Sequence, residues 1–166
     1  MRRIASLLVS GALLLAVAAT PAAAREPGPT IVDTAIAVNA ATGEFDHLIA
    51  AVVRADLVGV LDGNRQFTVF APTDAAFEDL FGALGVSGVA DIPVGTLTAV
   101  LLHHVSPGER LSGDVLSSPR VRMLDKGFTF PSVVGGVPSI DNAAIVLPDV
   151  DVSNGVIHVI DAVLLP

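Results

Sequence analysis

Apolar and polar positions follow two different periods along this chain, helical in the first hundred residues and alternating after them. Thr30 can cap a helix that carries Asp33 in its first turn, where the helix dipole favours an acid, and the pattern predicts a short helix to about Val38. After a break at Thr42-Gly43, Phe45, Leu48, Ile49, Val52 and Val53 fall on one helical stripe, and Leu57, Val58, Val60 and Leu61 continue as a shorter helix stopped by Asp62-Gly63-Asn64. Gln66 to Ala71 is β-branched and aromatic, bounded by Pro72, and predicts a buried strand. Thr73 or Asp74 can open a helix bearing Phe77, Leu80 and Phe81. A glycine-rich loop is expected through Gly82, Gly85 and Gly88, then a helix from about Pro93 with Leu97, Val100, Leu101 and His104 on its apolar side. From Val105 onward the period is that of strands, punctuated by Pro107-Gly108, Ser117-Ser118-Pro119, Gly135-Gly136 and Pro148, with one helical turn over Ser112 to Leu116. Helices first and strands later is an α+β arrangement.

The start of the chain has a different character. Arg2 and Arg3 precede an apolar run from Ile4 to Ala19, and Pro21-Ala22-Ala23-Ala24 supplies small residues at a cleavage position, so residues 1–24 read as a signal peptide cut after Ala24. The run is shorter than the roughly 20 residues a bilayer span needs, which argues against an uncleaved anchor, and no stable membrane insertion is expected once it is removed. Residues 25–29 read as a short linker, and the domain is expected over 30–166.

Removing the leader sharpens the charge. All 17 acids lie beyond residue 24 but two of the 9 basic residues lie before it, which leaves 17 against 7 and a net charge of −10. Nucleic acid is excluded as a partner, because its affinity comes largely from Lys and Arg neutralising phosphates. There is no cysteine, so packing alone must hold the domain.

Candidate chemistry is sparse. The four histidines, His47, His103, His104 and His158, have no metal-ligand spacing, and adjacent His103 and His104 point about 100° apart on a helix or to opposite faces of a strand. Asp149 to Gly155 begins like a calcium loop but has Asn154 where glycine is needed and Ile160 where a bidentate acid is needed, so it reads as a strand leading into a turn. No Gly-x-Ser-x-Gly elbow, thiol or phosphate cradle occurs, so no enzyme activity and no cofactor is expected. Without Trp or Tyr there is no broad sugar platform, and Phe45, Phe67, Phe70, Phe77 and Phe81 are core candidates. Arg110, Arg120, Arg122 and Lys126 make the one basic locality; on a strand Arg120 and Arg122 share a face opposite Val121 and Met123, a possible basic contact face.

Three ordered blocks resemble the fasciclin domain family. They are Thr68-Val69-Phe70-Ala71-Pro72-Thr73-Asp74-Ala75-Ala76-Phe77, then Leu101-Leu102-His103-His104-Val105 followed by Pro107-Gly108, then Asn154-Gly155-Val156-Ile157-His158-Val159-Ile160-Asp161. The resemblance runs from about Thr30 to Pro166. It implies a β-sandwich or wedge flanked by helices, and a secreted, extracellular or periplasmic module that binds a cell-surface or matrix protein or polymer without catalysis. The family motif positions it carries over, as structural or partner-binding residues, are Thr68, Phe70, Pro72, Thr73, Asp74, His103, His104, Val105, Asn154, Gly155, His158 and Asp161. The family usually has tyrosine where His103 stands, and its tyrosine-histidine pair is associated with both support and partner binding. Some members suggest a second role, carriage of a small apolar molecule such as a lipid or pigment, for which this valine-rich chain offers lining.

Overall fold

The computed structural model describes residues 28–166, so the leader and most of the linker lie outside the described residues. The first helix, α1 (Ile31–Thr42), opens on a reciprocal capping box: the Asp33 amide donates to Thr30 Oγ1 and the Thr30 amide to the Asp33 carboxylate, each at 3.2 Å. It runs past Val38 because Asn39 is not a breaker here. The Asn39 side chain instead accepts from the Phe45 amide and donates to Asp46, and the helix ends where Gly43 takes the left-handed conformation. Helices α2 (Asp46–Arg54) and α3 (Val58–Leu61) follow the predicted stripe.

Strand β1 (Phe67–Pro72) leads to α4 (Asp74–Leu84), capped by Thr73 Oγ1 through the Ala76 amide. Gly82 lies inside α4, and the glycine-rich loop begins only at Gly85, whose positive φ closes the helix. A 3₁₀ turn (Val89–Asp91) precedes α5 (Val94–His103), which starts behind Pro93 as expected. The rest is β2 (Val105–Pro107), α6 (Ser112–Ser117), β3 (Val121–Arg122), β4 (Phe128–Thr129), β5 (Pro131–Val134), β6 (Val137–Ile140), β7 (Ala143–Val152) and β8 (Gly155–Ile160).

Six strands form one sheet in the order β2-β1-β8-β7-β6-β5, and β3 with β4 forms a separate ribbon. All pairs are antiparallel except β1 with β8, which run parallel in register from Phe67 opposite Gly155 to Pro72 opposite Ile160. Parallel pairing needs a long crossover, and most of the domain lies between these two strands. Both are buried on both faces. One face, with Phe67, Val69, Ile157 and Val159, packs on Phe45, Leu48, Phe77 and Leu97 of the helical side. The other, with Phe70 and Ile160, packs on Val115, Val121, Met123, Ile140 and Leu164. The five phenylalanines expected inside are buried, and Phe128 and Phe130 are exposed.

Strand β7 departs from strict alternation twice. Its register against β8 shifts between Ile145 and Leu147 and again between Leu147 and Val150. Ile145 belongs to the core on one face, but the extra residue turns Leu147 to the helical face, opposite Val159, and the second shift keeps Val150 there too. Asp149, within the second bulge, has a positive φ and is held by Ser112, whose amide and hydroxyl both donate to its carboxylate at 2.6 Å.

Candidate functional site

The positions the sequence singles out do not converge on one site. They are spread through the fold as internal fasteners. Thr68 is fully buried; its hydroxyl donates to the Gly108 carbonyl at 2.8 Å and accepts from the Arg110 amide at 2.9 Å, which pins the loop after β2 against β1. Phe70 fills the second core and stacks on His158 with ring centres 5.4 Å apart. Pro72 ends β1, and Thr73 caps α4. Asp74 has a second partner that sequence reasoning missed: its carboxylate accepts from the Asp46 and His47 amides at 3.1 and 2.9 Å, capping α2, whose own N-cap, Phe45, has no side-chain oxygen.

The three motif histidines are buried separately, and each is matched to its own partners. His103 Nδ1 lies 2.7 Å from Asp125 Oδ2, while Asp125 Oδ1 accepts from the Gly127 amide, so the pair ties the end of α5 to the β3–β4 turn. His104 Nδ1–H donates to the Val100 carbonyl at 2.7 Å, and its Nε2 accepts from the Leu164 amide at 2.9 Å. This fixes a neutral tautomer. Burial pushes the His104 pKa from 6.5 down to about 4, outweighing the Val100 bond that opposes it. His158 carries its proton on the other nitrogen: Nδ1 accepts from the Asp149 amide at 3.1 Å and Nε2–H donates to the Arg110 carbonyl at 3.0 Å. Burial lowers its pKa as well, against the Arg110 bond and the nearby Asp149 charge. Asp149 itself is held below the usual carboxylate range; the cost of burying its charge opposes this, but the two Ser112 bonds and His158 prevail.

Val105 is buried in β2, and its carbonyl accepts from the Leu124 amide. Asn154 is the most connected of the set. Its Oδ1 accepts from the Ile31 amide at 2.9 Å and its Nδ2 donates to the Leu61 carbonyl at 2.6 Å, so one side chain joins the start of α1, the end of α3 and the start of β8. Gly155 has φ +150, and a Cβ there would sit 1.8 Å from the Phe67 carbonyl oxygen. Asp161 accepts from the Ala144 amide at 2.7 Å, fastening the end of β8 to β7. Among the described residues no group of three or more His, Asp or Glu is placed to hold a metal.

Two further features of the described residues lie outside this set. Arg120 and Arg122 are exposed on either side of buried Val121, with Met123 buried beyond, and the Arg120 guanidinium stacks 4.2 Å over the Phe128 ring. The second is a cavity of ≈ 180 Å³ between α1, α2 and the sheet, where no polar atom reaches the wall. Ile31, Leu48, Val52 and Val159 line it, and exposed Ile36, Val53 and Leu147 stand on its rim side. The valine content suggests apolar lining but not its place, which is set by the packing of α1 and α2 on the sheet, with Leu147 added through the β7 bulge.

Comparison with known proteins agrees with this architecture. The chain matches the family model of the fasciclin domain over residues 43–166. It is 39% identical over 144 residues to protein sll1483 of Synechocystis, covering 87% of this chain and 77% of that one. It is 30% identical to immunogenic protein MPB70 of Mycobacterium bovis, with 87% and 78% covered. It is also 30% identical to the transforming growth factor-beta-induced protein ig-h3 of Sus scrofa, of which it spans only 18%. A FAS1 domain pair from the insect cell adhesion molecule fasciclin I has the same fold, with a TM-score of 0.66 at 18% identity, over 82% of this chain and 51% of that one. The chain belongs to the fasciclin domain family.

Proposed function

We propose that this chain is exported and works as a non-enzymatic interaction module, binding cell-surface or matrix components by noncovalent contact and without a cofactor. The observation that carries this reading is the division of labour in the fold: the family motif residues, exposed Asp161 apart, are buried or half-buried and fastened within the fold, while Arg120, Arg122, Phe128 and Phe130 are left exposed. The fasciclin I domains that share the fold come from a cell adhesion molecule. Capture from host surface and matrix extracts tests the reading. The wild-type protein should retain a saturable partner, and Arg120→Glu/Arg122→Glu should weaken retention about tenfold, since two exposed charges in a contact each contribute roughly 0.7 kcal/mol. Recovery of no such component, together with measurable turnover of a substrate, would overturn it.

The cavity favours a second reading, carriage of a small apolar molecule. Its volume is comparable to the ~150 Å³ of an apolar cavity that stays dry and takes up benzene, so it suits one ring or a short alkyl segment, with anything longer leaving past Ile36 and Leu147. Native mass spectrometry of protein purified from its host should then show a stoichiometric apolar ligand, and Ala35→Phe on the cavity wall should abolish it. Protein isolated empty from its host would count against carriage.

A further inference from the structure

The eleven residues from Phe130 to Ile140 contain no charged side chain, although the chain around them is strongly acidic. They form the β5–β6 ribbon at the end of the sheet, joined by Gly135 and Gly136 at φ 61° and 86°, the paired positive values of a tight hairpin turn. Register fixes what the ribbon offers. Val134 and Val137 close the turn as a hydrogen-bonded pair, so bonding alternates through Ser132 and Ser139 to Phe130 and Asp141, where the Asp141 amide donates to the Phe130 carbonyl. The positions between face outward, and on β5, the strand at the edge of the sheet, these are Pro131 and Val133. Pro131 cannot donate to an incoming strand, so Val133 is left as the one outward donor of β5 and pairing of this edge with another chain is weakened.

Recognition by strand addition is therefore disfavoured, and the side chains are what remains. Val133 is 60% exposed on one face of the ribbon beside Pro138, and Val134 and Val137 are 65% and 45% exposed on the other. Phe130, at the base, is 58% exposed. A protein groove covers one face of a ribbon, whereas a tip that is apolar on both faces fits a fluid medium that closes around it. The neighbouring charge says which kind. Arg120 stacks on Phe128, and Arg122 is the cross-strand partner of Phe128, two residues before Phe130. The carboxylate at the base, Asp141, accepts from the Phe130 amide.

We propose that the β5–β6 hairpin seats shallowly in a lipid surface containing anionic headgroups, with Val133, Val134 and Val137 at the acyl boundary and Arg120 and Arg122 against the headgroups. This rests on the interaction-module reading and supplies its partner. Binding of this kind is peripheral and reversible, and no helix among the described residues is long and apolar enough to cross a membrane.

The test is co-sedimentation of the protein, purified from its host, with vesicles of phosphatidylcholine alone and of phosphatidylcholine mixed with phosphatidylglycerol. The protein should sediment with the mixed vesicles and not with the neutral ones, and added salt should release it. Val133→Asp/Val134→Asp and Arg120→Glu/Arg122→Glu should each reduce the bound fraction on the order of tenfold, with thermal unfolding unchanged because all four side chains are exposed. Absence of binding, equal binding to both vesicles, or insensitivity to both double substitutions would overturn the proposal. If vesicles fail but a host surface protein is still captured through the hairpin, the lipid assignment falls and the interaction-module reading stands; if both fail, both are wrong.

Discussion

Gly155→Ala should destabilise the domain by more than about 4 kcal/mol and leave little soluble protein. The added methyl would lie 1.8 Å from the Phe67 carbonyl oxygen, and the backbone there has φ +150. Neither conflict can be relieved by a side-chain rotation, since the clash is with the backbone of β1 in the parallel pairing that joins the two ends of the domain. Moving β8 away would also pull Asn154 from its bonds to Ile31 and Leu61. Gly82→Ala is the matched control: it lies within α4, nothing comes within 4 Å of the new carbon, and the helix should gain up to about 1 kcal/mol. Chemical denaturation of the two variants separates the claims, and a Gly155→Ala midpoint close to that of wild type would contradict this reading of β8.

Acid should weaken the fold well above the range in which carboxylates titrate. His104 has a folded pKa of about 4 against 6.5 when unfolded, so between these values the unfolded chain binds more protons. Its stabilising contribution is complete above about pH 6.5 and is lost as pH falls toward 4, to a total of about 3 kcal/mol. His158 acts in the same direction, since its pKa is also lowered by burial. The geometry agrees, because a second proton on His104 would face the Leu164 amide and one on His158 the Asp149 amide. Asp149, held below its usual range, adds a further loss at lower pH. Denaturant unfolding followed from about pH 7.5 to 4.5 should show stability falling steadily, and His104→Gln should flatten the slope. Stability that is constant or rises toward acid would exclude neutral buried histidines.

Local features of this fold were readable from the sequence because local chemistry decides them. Thr30 with Asp33, Thr73 before α4, Pro93 before α5 and the alternation of Arg120, Val121, Arg122 and Met123 each depend on residues within one turn or one strand. Where the reading fell short, a group outside the element's own period intervened, sometimes nearby and sometimes far along the chain. The first helix passes Val38 because the chain after it engages Asn39, and Gly82 is helical because Gly85 supplies the left-handed cap. The role of Asp74 at α2, the reach of Asn154 and the contact of His103 with Asp125 all join residues more than twenty positions apart. Periodicity carries no information on such pairs. The family blocks mark these residues as important without saying why, and the structure gives each a partner inside the fold. The place of the cavity was not legible for a similar reason, since its walls come from α1, α2 and strands distant in sequence, and Leu147 joins them only through a bulge.

The central claim is that the motif residues hold the domain together while its exposed strands make the contacts. A paired measurement of melting temperature and partner capture on two variants tests this most directly. His103→Ala should lower the melting temperature by several degrees, because it leaves Asp125 partly buried and short of a partner, yet its folded fraction should bind as wild type does. Arg120→Glu/Arg122→Glu should melt as wild type does and lose capture. The opposite pattern, in which the folded His103 variant loses its partner while the arginine variant keeps it, would place recognition at the motif and contradict the account.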